Sequence, residues 1–266
     1  MRYIKEYTAS TQIQQDLDNG VLGKPYMASV NGIIDWNTKS PQTGPVLPSK
    51  SFVCNYNAKN YNADTKVFPK TEGQLFDEDL VLYTNFFTRI QTHIEDGYVT
   101  FTGSSSLAGI SMVKQFASPE ENPFFRTNDN KNLTVVFKTT QNTNSTVLGI
   151  EGTSGPGGAQ NWRVDRDGFY TSGNSYTEFS PNEYPAIQYY RINNDGALER
   201  KCVTTGQIDT ASTVNFSGET VYACFFTNNP NKISKFRGDF YWLYVSTETL
   251  TDEEIEQVIN YNENLE

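Results

Sequence analysis

The end of the chain joins a strand to a capped helix, and this combination limits the fold most. Residues 240–245 carry bulky apolar or aromatic side chains at successive positions, which favours a central strand covered on both faces. Thr251 and Glu254 then form a T-x-x-E capping box, and acidic residues follow the cap, where the helix dipole favours them. The sequence therefore predicts a buried strand followed by a helix over residues 252–264.

The predicted helix is amphipathic. Ile255, Val258, Ile259 and Leu265 form one apolar stripe, and Leu250 occupies the position of a hydrophobic staple before the first turn. Because a single short helix that follows a series of strands has no core of its own, we expect it to pack on a sheet and close the fold.

The chain before this helix consists of short apolar segments separated by turn signals. The turns at 165–168 and 193–196 have the composition of hairpin turns, and Asn31 and Gly32 lie between two short apolar runs. Strand segments without helices between them predict an all-β fold, an antiparallel sandwich of the jelly-roll type. The 266 residues are enough to bury a full core.

The first 74 residues differ from the rest of the chain. Thr11 and Gln14 form a capping box for a short helix, the Asn-Gly hairpin follows, and residues 37–73 are punctuated by proline and glycine. We therefore expect a small N-terminal α+β anchoring arm over residues 1–74 and a sandwich domain over residues 75–266. A hairpin with one helix is marginally stable alone, so this arm is expected to need a partner surface.

Several segments of the sequence resemble known families. The runs 238–245 and 250–255 resemble the closing segment of concanavalin A-like, LamG-type jelly-roll modules, which implies the same sandwich with its C-terminal helix. The segments 23–26, 57–63 and 70–75 resemble N-terminal anchoring regions of accessory virion proteins of crAss-like tailed phages. This second resemblance implies a head-fibre or decoration protein with a lectin-like domain, with a tail-associated adhesin as an alternative.

The phage resemblance also implies a location and partners. Residues 1–74 would bind other virion proteins, and the protein would lie on the virion surface as a homo-oligomer, a trimer being favoured because fibres usually are trimers. We expect it to be made in the host cytoplasm, since the first residues lack the apolar segment of a signal peptide. The cysteines at 54, 202 and 224 have no metal-site spacing and are expected to be buried thiols.

The overall charge excludes some partners. A formal charge of −10 and an isoelectric point near 4.7 disfavour binding to nucleic acid or to an anionic membrane surface. No stretch of the sequence approaches the roughly eighteen apolar residues that a membrane span requires. We therefore expect neither nucleic acid nor membrane as a partner, and host-surface or environmental glycans as the ligand of the lectin-like domain.

Sugar binding on such a fold uses aromatic faces and planar polar groups. The candidate contact residues lie beside the glycine-rich segment 149–158 or among later tyrosines. They are Trp162, Arg163, Tyr184, Tyr189 and Tyr190. The alternation of Trp162 with Val164 equally favours an indole in the core, so both interpretations stay open.

The sequence contains little that indicates catalysis or metal binding. Asp129, Asp165 and Asp167 lie in oxygen-rich turns and are weak candidates for Ca²⁺, but they lack the spacing of an EF-hand loop, and tight turns use the same residues. His93 is the single histidine, and zinc ligand sets, a nucleophile elbow and an E-x-D-x-x-E motif are absent from the sequence. We therefore expect no enzyme and no cofactor other than Ca²⁺, with a glycosidase on the same fold as the alternative.

Overall fold

The computed structural model describes residues 29–30, 33–34, 45–84, 88–103, 110–141, 146–151, 160–165, 167–171, 174–178, 181, 183–218, 221–227 and 236–265. The strands of this part of the chain, in order, are β1 Ser29–Val30, β2 Ile33–Ile34, β3 Cys54–Asn57, β4 Val67–Phe68, β5 Leu80–Val81, β6 Tyr83–Thr84, β7 Thr88–His93, β8 Tyr98–Gly103, β9 Ile110–Gln115, β10 Leu133–Gln141, β11 Thr146–Glu151, β12 Gln160–Asp165, β13 Gly168–Thr171, β14 Asn174–Glu178, β15 Ala186–Ile192, β16 Leu198–Cys202, β17 Ile208–Ala211, β18 Tyr222–Phe225 and β19 Gly238–Ser246. Short 3₁₀ helices span Ala58–Asn60 and Pro119–Glu121, and the α-helix α1 spans Asp252–Glu263.

Two antiparallel sheets form the body of the protein. The larger has the order β17-β16-β15-β10-β19-β8-β7, with β3 also paired to β19, and the smaller has the order β14-β13-β12-β11-β18-β9-β6. Apolar side chains from both sheets form one continuous core. The predicted antiparallel β-sandwich with a C-terminal helix is therefore confirmed.

The predicted central strand is β19. It pairs with β10 and, on its other side, with β3 and β8. Leu243 and Val245 point into the core between the sheets, whereas Trp242 and Tyr244 belong to a second cluster beneath the helix. The register between β10 and β19 shifts between Lys138 and Thr139, so Tyr241 has no register partner on β10. Such a shift changes the direction of the side chains beside it. The outer face of the larger sheet is hereafter the face that carries α1.

The helix α1 begins as predicted. The Thr251 hydroxyl accepts a hydrogen bond from the Glu254 backbone N–H at 3.2 Å, and the Thr251 backbone N–H donates to the Glu254 carboxylate at 2.7 Å. Ile255 and Val258 are buried against the outer face of the larger sheet. The stripe differs from the prediction at its end: the helix stops at Glu263, before Leu265, and the buried residue of its last turn is Asn262.

The structure differs from the predicted arm over residues 45–74. Cys54–Asn57 is a strand of the larger sheet, and Tyr56 packs edge-on against Phe225 of β18 in the core. Phe68 is also completely buried. A domain boundary at residue 74 therefore cuts through the sandwich. Proline and glycine did indicate extended backbone, but an added strand requires extended backbone just as a connector does.

Three predicted hairpins are present. Ser29–Val30 pairs with Ile33–Ile34 as a two-stranded sheet of its own, β12 pairs with β13 across the turn at 165–168, and β15 pairs with β16 across the turn at 193–196. The predicted helix near residue 11 lies outside the described residues. All three cysteines are buried free thiols, as predicted. Within the described residues, no helix combines the length and the apolar character needed to cross a bilayer.

Candidate functional site

Two of the predicted sugar contacts are core residues. Trp162 is 0% exposed; its indole N–H donates to the Phe124 carbonyl at 2.8 Å, and its ring stacks on Phe169. Tyr190 is likewise completely buried, and burial raises the pKa of its phenol. The hypothesis that Trp162 and Tyr190 contact a sugar is therefore wrong, because the alternation along each strand points both rings between the sheets.

The other three candidates do not come together. Arg163 lies over the ring of Tyr170 on the smaller sheet, with 4.5 Å from guanidinium carbon to ring centroid. Tyr189 is only 3% exposed, and its hydroxyl donates to Glu199 on the outer face of the larger sheet. Tyr184 is 40% exposed, in the bend before β15. Residues 152–158 of the glycine-rich segment lie outside the described residues.

The aspartates proposed for Ca²⁺ do not form a ligand set. Asp165 is buried, with its carboxylate 3.0 Å from Arg163, and burial raises the pKa of this carboxyl to about 6 although Arg163 and Thr146 oppose the shift. Asp167 is half-buried in the same hairpin turn as Asp165, and Asp129 lies in the exposed turn at 127–130. Within the part of the chain that the structure describes, no group of three His, Cys, Asp or Glu side chains could hold a metal ion.

A row of aromatic side chains crosses three strands on the outer face of the larger sheet. We call His93 of β7, Tyr98 of β8 and Tyr241 of β19 the ring row. His93 stacks on Tyr98 with 4.5 Å between ring centroids and 19° between ring planes, and Tyr98 lies 5.2 Å from Tyr241 with 36° between planes. All three residues are only half-buried. The strands therefore assemble a partly exposed aromatic surface.

A row of polar groups runs beside the ring row on the same face. We call Gln91, Thr100, Asp239 and Thr140 the polar row. The Thr100 hydroxyl donates to Asp239 Oδ1 at 2.6 Å, and the Thr140 hydroxyl donates to the other oxygen of the same carboxylate. Gln91 is exposed and is the register partner of Thr100. Rings and hydrogen-bonding groups thus lie side by side.

The end of the helix α1 borders this face. Lys138 lies 4.8 Å above the ring centroid of Tyr241, and its ammonium group pairs with Glu263 at 2.6 Å. The second oxygen of Glu263 accepts the indole N–H of Trp242 at 2.7 Å. Burial and nearby carboxylates raise the pKa of Tyr241 to about 12, so its phenol stays neutral and able to donate near neutral pH.

Sequence reasoning did not identify this face. The pattern places Tyr241 in the predicted central strand, but His93 and Tyr98 are far from it in sequence. They meet because β8 pairs with both β7 and β19, a register that local patterns do not specify. The one usable signal was the run of aromatic residues in β19, whose number exceeds what a single buried face needs.

Comparisons with known proteins support the fold class. No protein-family model matches the chain, and no curated protein matches it. Among solved structures, it is similar to the Trypanosoma rangeli sialidase in complex with sialic acid, at 13% identity and a TM-score of 0.52, over 96% of this chain and 38% of the sialidase chain. It is also similar to a structure described as a receptor binding domain, at 15% identity and a TM-score of 0.50, over 81% of this chain and 51% of that chain.

These likenesses define a class and no more. The chain spans well under half of the sialidase and about half of the receptor binding domain. At such low identities the agreement is in the fold alone. The protein is an antiparallel β-sandwich of the kind found in these two structures, with α1 packed on the larger sheet.

Proposed function

We propose that the protein is a lectin-like β-sandwich that binds a neutral glycan on the outer face of its larger sheet. The observation that carries this proposal is the ring row beside the polar row. Tyr98 and Tyr241 offer a stacking surface to the apolar face of a sugar ring, while Thr100, Asp239 and Thr140 offer partners for its hydroxyl groups. A contiguous exposed apolar patch on a protein surface often marks a contact site.

Two carboxylates beside the rows favour a neutral sugar over an acidic one, although Arg89 of β7 is also exposed on this face. Asp239 lies within the polar row and Glu263 lies at its border, so a carboxylate on the ligand would be repelled. Lys138 would offset this repulsion, but its ammonium group is already paired with Glu263. Arg191 and Arg200, on the other side of β10, hydrogen-bond to acceptors of the protein itself.

Binding to a panel of neutral and acidic glycans, measured by array and then by calorimetry, tests the proposal. Replacement of Tyr98 by Ala should weaken binding by about fivefold or more, since an aromatic contact is worth roughly 1 kcal/mol beyond its buried area. Tyr83→Ala is the matched control, because Tyr83 is 54% exposed on the smaller sheet. Equal loss in both variants, or no binding by the unmodified protein, would reject the ring row as the site.

The same samples distinguish lectin from enzyme. In our proposal the protein binds a glycan without cleaving it. Incubation with each bound glycan, followed by an assay for new reducing ends, should show none above the background of a boiled sample. Release of reducing ends in proportion to protein concentration would favour the glycosidase alternative.

We further propose that the protein acts on the surface of a crAss-like phage virion, as a head fibre or decoration protein, with a tail-associated adhesin as the alternative. This role is supported by the resemblance of the segments 23–26, 57–63 and 70–75 to anchoring regions of accessory virion proteins. Because β3 and Phe68 already belong to the sheet and the core of the sandwich, the anchoring role falls on residues 1–44, whose described part is the β1–β2 hairpin. A homotrimer would gain avidity from repeated weak sites.

Two measurements test the virion role. An electron-microscopy map of the particle should place the sandwich on the head surface; density on the tail would favour the adhesin. Light scattering coupled to size-exclusion chromatography should give three times the mass of the chain. A strict monomer in solution would contradict a free trimer, and the particle map would then decide whether copies associate only on the virion.

A further inference from the structure

A second polar surface of the larger sheet lies away from the ring row. A cleft of about 490 Å³ opens where the β15–β16 hairpin and the end of β17 meet Thr249, just before α1. We call it the helix-start cleft. The order of the sheet places it beyond β10, on the opposite side from β8 and β7. Its volume falls in the range of small-molecule sites, roughly 300–1,000 Å³.

The charged residues that line the cleft are Arg191 and Glu199, and Arg191 also pairs with Asp252, which lies outside the lining. Arg191 donates to Glu199 at 2.8 Å, to Asp252 at 2.7 Å and to the Leu250 carbonyl at 3.1 Å. The Tyr189 hydroxyl also donates to Glu199. An anionic ligand would have to compete with two carboxylates for one guanidinium, and a cationic ligand would meet that guanidinium in the wall. Because the one cation and the one anion of the lining are paired with each other, the lining offers no uncompensated charge to a charged ligand.

The rest of the polar lining is uncharged. Thr210 and Ser212 are exposed and contribute hydroxyl groups, and Asn193 contributes an amide whose oxygen accepts the Ala197 backbone N–H at 2.9 Å. Hydroxyl and amide groups both donate and accept hydrogen bonds. This lining matches a ligand that also carries both kinds of group and no net charge.

We propose that the helix-start cleft binds a single neutral sugar unit of hexose size. The cleft is concave, so it takes a whole small ring or the end of a chain, whereas the ring row is an open surface. This site does not rest on the proposed function of the ring row. The two sites share no residue, and either can exist without the other.

The test is nuclear magnetic resonance of the full chain titrated separately with glucose, galactose and mannose. Neutral hexoses should shift the backbone amide signals of Asn193, Thr210 and Ser212 with millimolar affinity. The double variant Thr210→Val and Ser212→Ala should bind about tenfold more weakly, because it removes two hydrogen-bonding hydroxyls without disturbing Arg191. Thr213→Val, at an exposed threonine outside the lining, is the matched control and should bind like the unmodified protein.

Several outcomes would overturn the cleft as a site. These are no shift with any neutral hexose, shifts that persist in the double variant, or shifts produced only by sialic acid or glucosamine as charged probes. The variant Tyr98→Ala separates this proposal from the ring row, because it should leave the cleft signals unchanged. If Tyr98→Ala abolishes them, the hexose binds at the ring row and the cleft is not a site.

Discussion

Asn57 of β3 donates two hydrogen bonds to Asn262 in the last turn of α1, one to its carbonyl at 2.9 Å and one to its side-chain oxygen at 3.1 Å. Both residues are buried, and the Asn262 side-chain amide in turn donates to the Val258 carbonyl at 3.0 Å. A strand near the start of the described chain is thus joined to the helix that ends it. The closing helix is held by a buried polar network as well as by its apolar stripe.

We expect Asn57→Ala to destabilise the protein by about 2–3 kcal/mol, because it leaves buried acceptors on Asn262 without their donors. The variant also removes the acceptor of the Lys59 backbone N–H. Chemical denaturation followed by tryptophan fluorescence measures the loss. Asn60→Ala, at an exposed neighbouring position, should change stability by less than about 0.5 kcal/mol. Similar losses for the two variants would contradict a specific role of the Asn57–Asn262 pair.

Truncation separates the observed boundary from the one expected from sequence. A fragment of residues 45–266 keeps β3 and the ring of Tyr56 in the core, so it should unfold cooperatively at a temperature close to that of the full chain. A fragment of residues 75–266 loses these contacts and Phe68, and we expect no cooperative transition. Differential scanning calorimetry of both fragments decides the matter. A well-folded 75–266 fragment would support the predicted domain boundary at residue 74.

Trp162→Ala tests the reassignment of this residue from the sugar site to the core. Loss of a fully buried indole should cost about 3–5 kcal/mol of stability. Trp162→Phe should cost less, since it keeps a ring but loses the hydrogen bond to the Phe124 carbonyl. Tyr184→Ala, at the exposed member of the same predicted set, should be nearly neutral in a thermal melt. A Trp162→Ala protein with an unchanged melting temperature and weakened glycan binding would show that Trp162 contacts the sugar.

The predictable parts of the fold were those encoded locally. The capping box at Thr251 and Glu254 specifies the start of α1 from four consecutive residues, and the turn at 193–196 specifies its hairpin in the same way. The pattern assigns Cys54–Asn57 to the anchoring arm because the partner of this strand, β19, lies near the other end of the chain. Sequence pattern shows that a segment is extended, but it does not name the strand that pairs with it.

The candidate site was harder to predict for the same reason. Tyr98 and Tyr241 become neighbours only through the pairing of β8 with β19, and the shift of register opposite Tyr241 helps to aim that side chain. The alternation of Trp162 with Val164 is compatible both with a sugar contact and with a core position, so it cannot decide between them. The Phe124 carbonyl that fixes its indole N–H lies in another segment of the chain.

The buried carboxyl of Asp165 should make stability depend on pH in an unusual direction. Burial raises its pKa from 3.8 to about 6 in the folded protein. Between about pH 4 and pH 6 the folded state therefore holds a proton that the unfolded state has released, and the contribution of Asp165 to stability falls as the pH rises. Most native carboxylates are stabilised in their charged form and act in the opposite direction. This pKa shift corresponds to a loss of up to about 3 kcal/mol in the free energy of unfolding. The loss is complete once the pH exceeds the pKa of Asp165 in the folded protein.

Comparison with Asp165→Asn isolates this effect from all other titrating groups, because asparagine does not titrate. The free energy of unfolding of the unmodified protein minus that of the variant should fall between about pH 4 and pH 6 and then level off. Urea denaturation at several pH values measures this difference. Asp129→Asn, at an exposed turn, is the matched control. A difference for Asp165→Asn that is constant with pH, or that rises with pH, would show that the folded protein does not hold Asp165 protonated over this range.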